Sequence, residues 1–243
     1  LHTVRHSFPT RRSSDLVSKQ IIVGCNLEDS LNALSFVQHY DNFFSTLGIH
    51  PHDAAEWGEN VKSQFEEILN RKDLKVKPVA IGEIGLDYFR NLQPKEIQYE
   101  AFRAQLRLAL NYNLPVIIHV RDAFEDAFNI LEEIGNKKVL LHCFSGGAKE
   151  ANLAFKRGYL ISFSGVVTYP KNDELREVAK TAPENSFVIE TDCPFLAPQK
   201  YRGQRNEPAF IVETASFIAE TRGVKLEEIA KITTSNAENF FLV

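Results

Sequence analysis

Short apolar segments alternate with segments of helical periodicity along residues 17–243. We predict strands over residues 20–25, 43–50, 115–120, 138–144, 159–166 and 186–191, and a further buried strand that begins at residue 79 and ends at Glu83. We predict helices over residues 27–40, 61–70, 97–113, 123–134, 149–157, 173–181, 208–221, 225–230 and 237–241. Such alternation is typical of an α/β fold, in which helices cover a parallel sheet.

Two architectures fit this alternation: an open doubly wound sheet and a closed (β/α)8 TIM barrel. No glycine-rich dinucleotide fingerprint follows any predicted strand, which disfavours the open sheet of nucleotide-binding proteins. A barrel typically needs roughly 250 residues and eight strands, so one barrel fits the length of 243 residues. We predict a TIM barrel whose first β/α unit is missing and would lie where residues 1–16 now stand.

Residues 1–16 are unlike the rest of the chain. They lack an initiator methionine and an apolar period, and they are basic and rich in serine. A transit peptide has a similar composition. Residues 6–16, however, match one reading frame of a widely used sequencing-adapter oligonucleotide. We therefore predict that residues 1–16 are non-native and that residues 17–243 form one barrel domain, which resequencing of the locus would test.

Composition narrows the class of protein. The net charge of −4 gives no general attraction to polyanions, so a nucleic-acid site would be local or metal-mediated. No apolar run approaches the roughly 18 residues of a membrane span. The cysteines are odd in number and scattered, which favours reduced thiols in a cytoplasmic protein. We expect Cys143 and Cys193 to be buried rather than ligands, and the protein to be a monomer.

Four polar residues stand where otherwise apolar predicted strands end: Glu83, His119, His142 and Asp192. In a parallel barrel, the carboxyl ends of all strands meet at the face that carries active sites. A lone histidine at a strand end is usually structural, but four such residues on four strands are better explained by a shared ligand. Two imidazoles and two carboxylates suit Zn²⁺, Mn²⁺ or a similar divalent ion. The sequence therefore predicts a metal site.

The motifs around these residues resemble the signature set of the TatD-type metal-dependent deoxyribonucleases. The matching segments are residues 82–87 (GEIGLD), 118–121 (IHVR), 142–146 (HCFSG), 190–194 (ETDCP) and 205–208 (RNEP). The resemblance implies a TIM barrel of the metallo-hydrolase type. It also implies hydrolysis of phosphodiester bonds in DNA, often as a 3′–5′ exonuclease, with one or two divalent ions (Mg²⁺, Mn²⁺ or Zn²⁺).

The resemblance also implies roles for the ligands. Glu83 would bridge the metals, His119 and His142 would hold one ion, and Asp192 would hold the other. Members of this family open with a strand that carries a His-x-His pair, and none occurs near this N-terminus. We therefore expect the chain as written to be catalytically impaired. If the native start is restored, Asp192 would also accept the proton of the attacking water, and Glu83 would contribute charge and geometry.

For six further residues, a functional role and a structural role both fit the sequence. His52 is a possible proton donor or phosphate contact, or else a surface histidine, and the case for His50 is slightly weaker. Arg121 could bind a phosphate in bidentate fashion, or pair with Asp122 or another surface acid. Arg205 and Tyr201 lie in a basic loop that could bind single-stranded DNA or a 3′ end, or be a solvated surface. Helix capping alone would explain Asn206.

Two other functions remain open. A related barrel hydrolase could act on amides, lactones or other phosphoesters, because one fold hosts many chemistries. A carboxylated lysine would favour that alternative, and no predicted strand ends in a lysine at the position of Glu83. The third possibility is a truncated protein that binds DNA or a partner without turnover.

Overall fold

A computed structural model describes residues 17–243 and the backbone of His2–Thr3, a two-residue strand named β1. The predicted non-native segment, residues 1–16, otherwise lies outside the described residues, so the predicted domain limits and missing first unit stay predictions. The chain divides into two compact units, here called the N-terminal unit (Lys19–Val139) and the C-terminal unit (Leu140–Val243).

The N-terminal unit is a regular alternation of strands and helices. Its strands are β2 (Gln20–Val23), β3 (Phe43–Leu47), β4 (Ala80–Asp87) and β5 (Val116–Arg121). Its helices are α1 (Leu27–Val37), α2 (Glu59–Asn70), α3 (Lys95–Asn111) and α4 (Phe124–Ile134), with a 3₁₀ segment at Pro51–Glu56. All three strand pairs, β2 with β3, β3 with β4 and β4 with β5, are parallel.

Burial explains why the central strand of this unit is so apolar. Every residue of β4 is buried, as expected for a parallel strand that is covered on both faces. At one edge, Ile22 of β2 packs with Ala33 and Val37 of α1 and Phe43 of β3. The apolar residues whose spacing predicted α1 therefore form the face of the helix that covers the sheet.

The C-terminal unit repeats the same pattern. Its strands are β6 (Val139–Leu141), β7 (Leu160–Phe163) and β8 (Phe187–Ile189), and β7 pairs in parallel with both of the others. Its helices are α5 (Ala148–Lys156), α6 (Asp173–Thr181), α7 (Ile211–Arg222) and α8 (Leu226–Phe241). Short 3₁₀ segments lie at Gly165–Thr168, Glu184–Ser186, Gln199–Tyr201 and Pro208–Phe210.

Two sequence expectations about elements are wrong. The residues predicted as two short helices near the C-terminus form the single helix α8. Several strands are shorter than predicted: β3 ends at Leu47 rather than at residue 50, and β6 ends at Leu141 rather than at residue 144. The polar residues at these ends belong to the following loops.

Among the described residues, no helix is long and apolar enough to cross a bilayer.

Candidate metal centre

Glu83 lies in the middle of β4, so the prediction that it ends its strand is wrong, and close backbone packing holds it there. Its amide donates to the carbonyl of Gly24 (2.9 Å), and the residue is 3% exposed. A β-carbon on Gly82 would come 2.6 Å from the β-carbon of Ile117, and one on Gly85 would come 2.0 Å from the carbonyl oxygen of His119. The glycines of this motif therefore allow the neighbouring strand to approach, which holds a buried carboxylate beside a histidine.

Three side chains of the N-terminal unit converge as candidate ligands: His50, Glu83 and His119. Glu83 Oε1 lies 3.0 Å from Nδ1 of His119 and 3.5 Å from Nε2 of His50. One ligand atom from each residue lies within 4.8 Å of the other two. Among the described residues, this is the one group of three or more His, Cys, Asp or Glu side chains that meets such a limit. The donor set fits a divalent transition metal.

His50 is 9% exposed and lies three residues beyond the end of β3. Burial, followed by the nearby His119, lowers the pKa of His50 to about 4, although Glu83 acts in the opposite direction. The imidazole is therefore neutral near pH 7, the form that donates a lone pair to a metal. Cys25 Sγ lies 3.8 Å from Glu83 Oε2 and adds a thiol to the edge of this group.

Asp87, at the end of β4, joins His52 to His119. Its Oδ2 lies 2.8 Å from Nε2 of His52 and 3.1 Å from Nε2 of His119, and its Oδ1 accepts from the amide of Arg90 (2.7 Å). Burial alone would raise the pKa of Asp87, but these hydrogen bonds hold that pKa well below its usual range. The ionised carboxylate thus fixes the orientation of both imidazoles.

Two buried glutamines of α3 hold the backbone at this site. Gln105 accepts from the amide of Ile49 (2.8 Å) and donates to its carbonyl (3.1 Å). Gln98 accepts from the amide of Asp87 (2.8 Å) and donates to its carbonyl (3.2 Å). These bonds satisfy strand-end groups that would otherwise be buried without partners, and they place His50 and Asp87 relative to α3.

In the C-terminal unit, Glu190 orients His142. Glu190 is fully buried and lies 2.8 Å from Nδ1 of His142 through Oε2, while its Oε1 accepts from the amide of Cys143 (2.8 Å). Nε2 of His142 lies 3.5 Å from Oδ1 of the half-buried Asp192. A histidine that is held through one ring nitrogen by a carboxylate is the usual arrangement of a metal-binding histidine. His142 and Asp192 are therefore a second pair of candidate ligands.

The predicted substrate residues differ in their surroundings. Arg121 is exposed, and its guanidinium lies 3.9 Å from the ring centroid of Phe89. Arg205 is exposed in the loop after β8. In the same loop, the ring of Tyr201 stacks on Phe210 at 3.9 Å.

Two expectations about single residues are wrong. Asn206 does not cap a helix; it is buried, and its amide donates to the carbonyls of Thr191 (2.6 Å) and Phe195 (2.7 Å), so it ties the loop together. Cys143 and Cys193 are half-buried rather than buried, because each lies in a loop beyond the end of a strand.

Sequence reasoning missed three residues of these groups. Asp87 and Glu190 stand within motifs but received no role, and His50 was considered only as a proton donor or phosphate contact. A signal existed for His50, since it belongs to a Gly-Ile-His-Pro-His segment after a strand. Of the four predicted metal ligands, the structure brings Glu83 together with His119 in the N-terminal unit. It brings His142 together with Asp192 in the C-terminal unit.

Comparisons with known proteins agree on one family. The sequence model described as TatD related DNase matches residues 5–242. The chain is 40% identical over 96% of its length, and 91% of the relative's, to YabD of Bacillus subtilis, described as an uncharacterized metal-dependent hydrolase. It is 36% identical to the 3′-5′ ssDNA/RNA exonuclease TatD of Escherichia coli K12, covering 93% of this chain and 88% of the relative.

A crystal structure of a TatD homologue from Escherichia coli K12 superimposes with a TM-score of 0.86 at 30% identity. The match covers 93% of this chain and 87% of the other. A TatD-family hydrolase from Entamoeba histolytica gives a TM-score of 0.80 at 26% identity, over 92% of this chain and 84% of the other. These matches confirm the predicted α/β fold class of the TIM-barrel type.

Proposed function

This chain belongs to the TatD-related DNase family, and we propose that it is an exonuclease that removes nucleotides from the 3′ ends of single-stranded DNA. At the coarser level it is a metal-dependent hydrolase. The observation that carries the proposal is the convergence of His50, Glu83 and His119, which offers two imidazoles and a buried carboxylate to one cation. Relatives named as 3′-5′ ssDNA/RNA exonucleases support the choice of nucleic acid as substrate.

We propose that His50, Glu83 and His119 hold a divalent ion, Mg²⁺, Mn²⁺ or Zn²⁺, and that His142 and Asp192 are also ligands, for one or two ions per chain. A divalent ion bound by such ligands polarises phosphoryl oxygens and lowers the pKa of a bound water. Glu83 supplies the negative charge that makes a buried cation site favourable, and its carboxylate would otherwise be costly to bury.

The remaining polar residues have proposed roles in moving protons. His52 is half-buried, and its Nε2 lies 2.8 Å from Asp87 Oδ2, a contact that fixes the orientation of the ring. That pairing suits His52 to donate a proton to the leaving oxygen. Asp192, half-buried next to His142, would accept the proton of the attacking water at a carboxylate oxygen.

Substrate contacts would come from exposed cationic and aromatic groups in loops. Arg121 and Arg205 are exposed and suit phosphate oxygens. Tyr201 is proposed as an aromatic contact, although Phe210 already covers one face of its ring. A local set of this kind is needed because the net charge of −4 would repel a polyanion at long range.

The test is hydrolysis of a labelled single-stranded DNA oligonucleotide with Mg²⁺ or Mn²⁺, by the chain as written and by the same chain with the expected first strand restored. A phosphorothioate block at the 3′ end should stop cleavage, and a block at the 5′ end should not. Glu83→Gln should abolish cleavage and weaken Mn²⁺ binding measured by calorimetry, whereas Glu67→Gln on the exposed face of α2 should change neither.

The other outcomes separate the alternatives. Cleavage of RNA at an equal rate would widen the substrate class. A folded protein that binds Mn²⁺ but cleaves no oligonucleotide would overturn the nuclease proposal in favour of a hydrolase acting on amides, lactones or smaller phosphoesters. A folded protein that neither binds Mn²⁺ nor cleaves would indicate an impaired metal site. Placement in the cytoplasm and a monomeric state stay predictions.

A further inference from the structure

Phe89 and Arg121 form an exposed pair in the N-terminal unit. The side chain of Phe89, which stands in the turn after β4, is 59% exposed. The guanidinium of Arg121 lies 3.9 Å from the centroid of its ring, at the distance of a cation–π contact. The pair therefore presents an aromatic surface and a cation side by side.

The backbone fixes this pair near the candidate metal centre. Arg121 lies opposite Asp87 in the register of β4 and β5, and its carbonyl accepts from the amide of Tyr88 (2.9 Å). Arg121 stands two residues beyond His119 on β5, about 7 Å along the strand. Asp87, which contacts His119, also accepts from the amide of Arg90 and so closes the turn that carries Phe89.

The charge of Arg121 is available for a ligand. Among the described residues, no carboxylate lies within ion-pair distance of its guanidinium, so the expected alternative of a pair with Asp122 is wrong. Stacking on Phe89 restrains the side chain without using its N–H donors in an ion pair. A restrained guanidinium with available donors is suited to phosphate oxygens.

We infer that Phe89 and Arg121 form a nucleotide subsite, in which Phe89 stacks on a nucleobase and Arg121 binds a backbone phosphate of the same strand. The inference rests on the proposed function and specifies its substrate. A base must be unpaired and unstacked to reach an aromatic ring, so this subsite selects single-stranded over duplex DNA. Stacking is tolerant of sequence, as a non-specific exonuclease requires.

A purely structural role predicts a different behaviour. An exposed cation–π pair would only support the turn, by about 0.5–1 kcal/mol, and its loss would not depend on the substrate. The distinguishing property is therefore sensitivity to the bases of the oligonucleotide. Because Phe89 is mostly exposed, Phe89→Ala is expected to leave the protein folded, which circular dichroism and thermal melting check.

The experiment compares KM for a DNA oligonucleotide with KM for matched oligonucleotides that carry one abasic residue at each of the last three 3′ positions in turn. Phe89→Ala should raise KM for the normal oligonucleotide by about 5- to 100-fold, the range that loss of base stacking predicts. It should have little further effect when the stacked base is absent. Tyr40→Ala is the matched control. It removes another exposed aromatic residue, which lies before the start of β3, whereas His50 lies beyond the other end of that strand; it should leave KM unchanged.

A second variant tests stacking directly. Trp57 is the single tryptophan, so Phe89→Trp in a Trp57→Phe background reports on position 89 alone. Its fluorescence should be quenched by single-stranded oligonucleotide and not by duplex. An unchanged KM in Phe89→Ala together with unquenched Phe89→Trp would overturn the subsite while leaving the nuclease proposal standing, provided that the unaltered protein cleaves DNA. A folded, metal-loaded protein that cleaves no oligonucleotide would overturn both.

Discussion

His119 is held between two carboxylates, with Nδ1 lying 3.0 Å from Glu83 and Nε2 lying 3.1 Å from Asp87. Glu83 belongs to the candidate ligand group, whereas Asp87 acts from the other side of the ring. A carboxylate partner of this kind orients a metal-binding histidine and raises its basicity. Asp87 is therefore a positioning residue, and it serves His52 through the same oxygen.

We predict that Asp87→Asn lowers the affinity for Mn²⁺ by about 10- to 100-fold, the usual effect of removing such a partner. An amide at this position has one acceptor oxygen and no negative charge, so it cannot accept from both imidazoles and from the amide of Arg90 at once. Calorimetric titration with Mn²⁺ measures the effect, independently of catalysis. The control is Asp122→Asn, an exposed acid close by on the chain, which should match the unaltered protein. Equal affinities in all three proteins would contradict the positioning role.

Glu190 has the corresponding relation to His142 in the C-terminal unit, and it is fully buried. We predict that Glu190→Ala lowers the free energy of unfolding by about 1–3 kcal/mol, because it leaves the partly buried amide of Cys143 without its acceptor. Glu190→Gln can still accept from that amide, but it no longer offers two acceptor oxygens. Glu190→Gln should therefore be more stable than Glu190→Ala, and it should bind metal more weakly than the unaltered protein.

Urea unfolding and metal titration of the two Glu190 variants measure these effects separately. A matched control is Glu184→Ala, in the short 3₁₀ segment before β8, whose side chain is exposed. If Glu190→Ala unfolds at the same urea concentration as Glu184→Ala, the buried hydrogen bonds of Glu190 do not contribute to stability.

The sequence predicted the strands better than it predicted their ends. The apolar runs of β3 and β6 were correctly identified, but the histidines after them lie in loops whose path depends on tertiary contacts. His50 meets Glu83 because the backbone of Ile49 is held by Gln105, from a helix far along the chain. No local pattern around residue 50 contains that information.

The C-terminal helix shows the same limit in another form. Residues 231–236 are rich in threonine, serine and asparagine, which locally favour a break. The structure instead continues α8 through them: Thr233 donates to the carbonyl of Ile229 (2.9 Å), and Asn236 donates to the carbonyls of Glu184 (2.6 Å) and Phe187 (2.7 Å). Contacts with the start of β8 and the 3₁₀ segment before it therefore outweigh local propensity.

Asp126 gives a prediction about acid stability. Its Oδ2 accepts from the hydroxyls of Tyr88 and Tyr99, both at 2.6 Å, and these bonds lower the pKa of Asp126 although burial opposes them. A carboxyl whose pKa is lower in the folded state stabilises the protein above its unfolded pKa of about 3.9, and that contribution is lost as pH falls through the folded pKa. Tyr88→Phe should therefore destabilise the protein by about 1 kcal/mol at pH 7, and by less at pH 3.

Urea unfolding at pH 7 and pH 3 measures this difference. Tyr112→Phe is the control, because the hydroxyl of Tyr112 accepts from the neutral Asn70 and involves no acid. Its effect should be the same at both pH values. If Tyr88→Phe also behaves identically at both, Asp126 is not stabilised in its ionised form by Tyr88.

Gly85 gives the sharpest test of how Glu83 and His119 are brought together. Gly85 has φ +143°, a conformation that residues with side chains rarely adopt, and a β-carbon there would lie 2.0 Å from the carbonyl oxygen of His119. We predict that Gly85→Ala destabilises the protein by about 3 kcal/mol or more and weakens Mn²⁺ binding, because β5 must move away from β4. Gly58→Ala is the control: no atom lies within 4 Å of its β-carbon position, and its change should stay within about 1 kcal/mol.

Urea unfolding and calorimetry of both variants measure the two effects. A Gly85→Ala protein as stable as Gly58→Ala would show that the strands are not packed this closely, and the placement of His119 beside Glu83 would then need another cause.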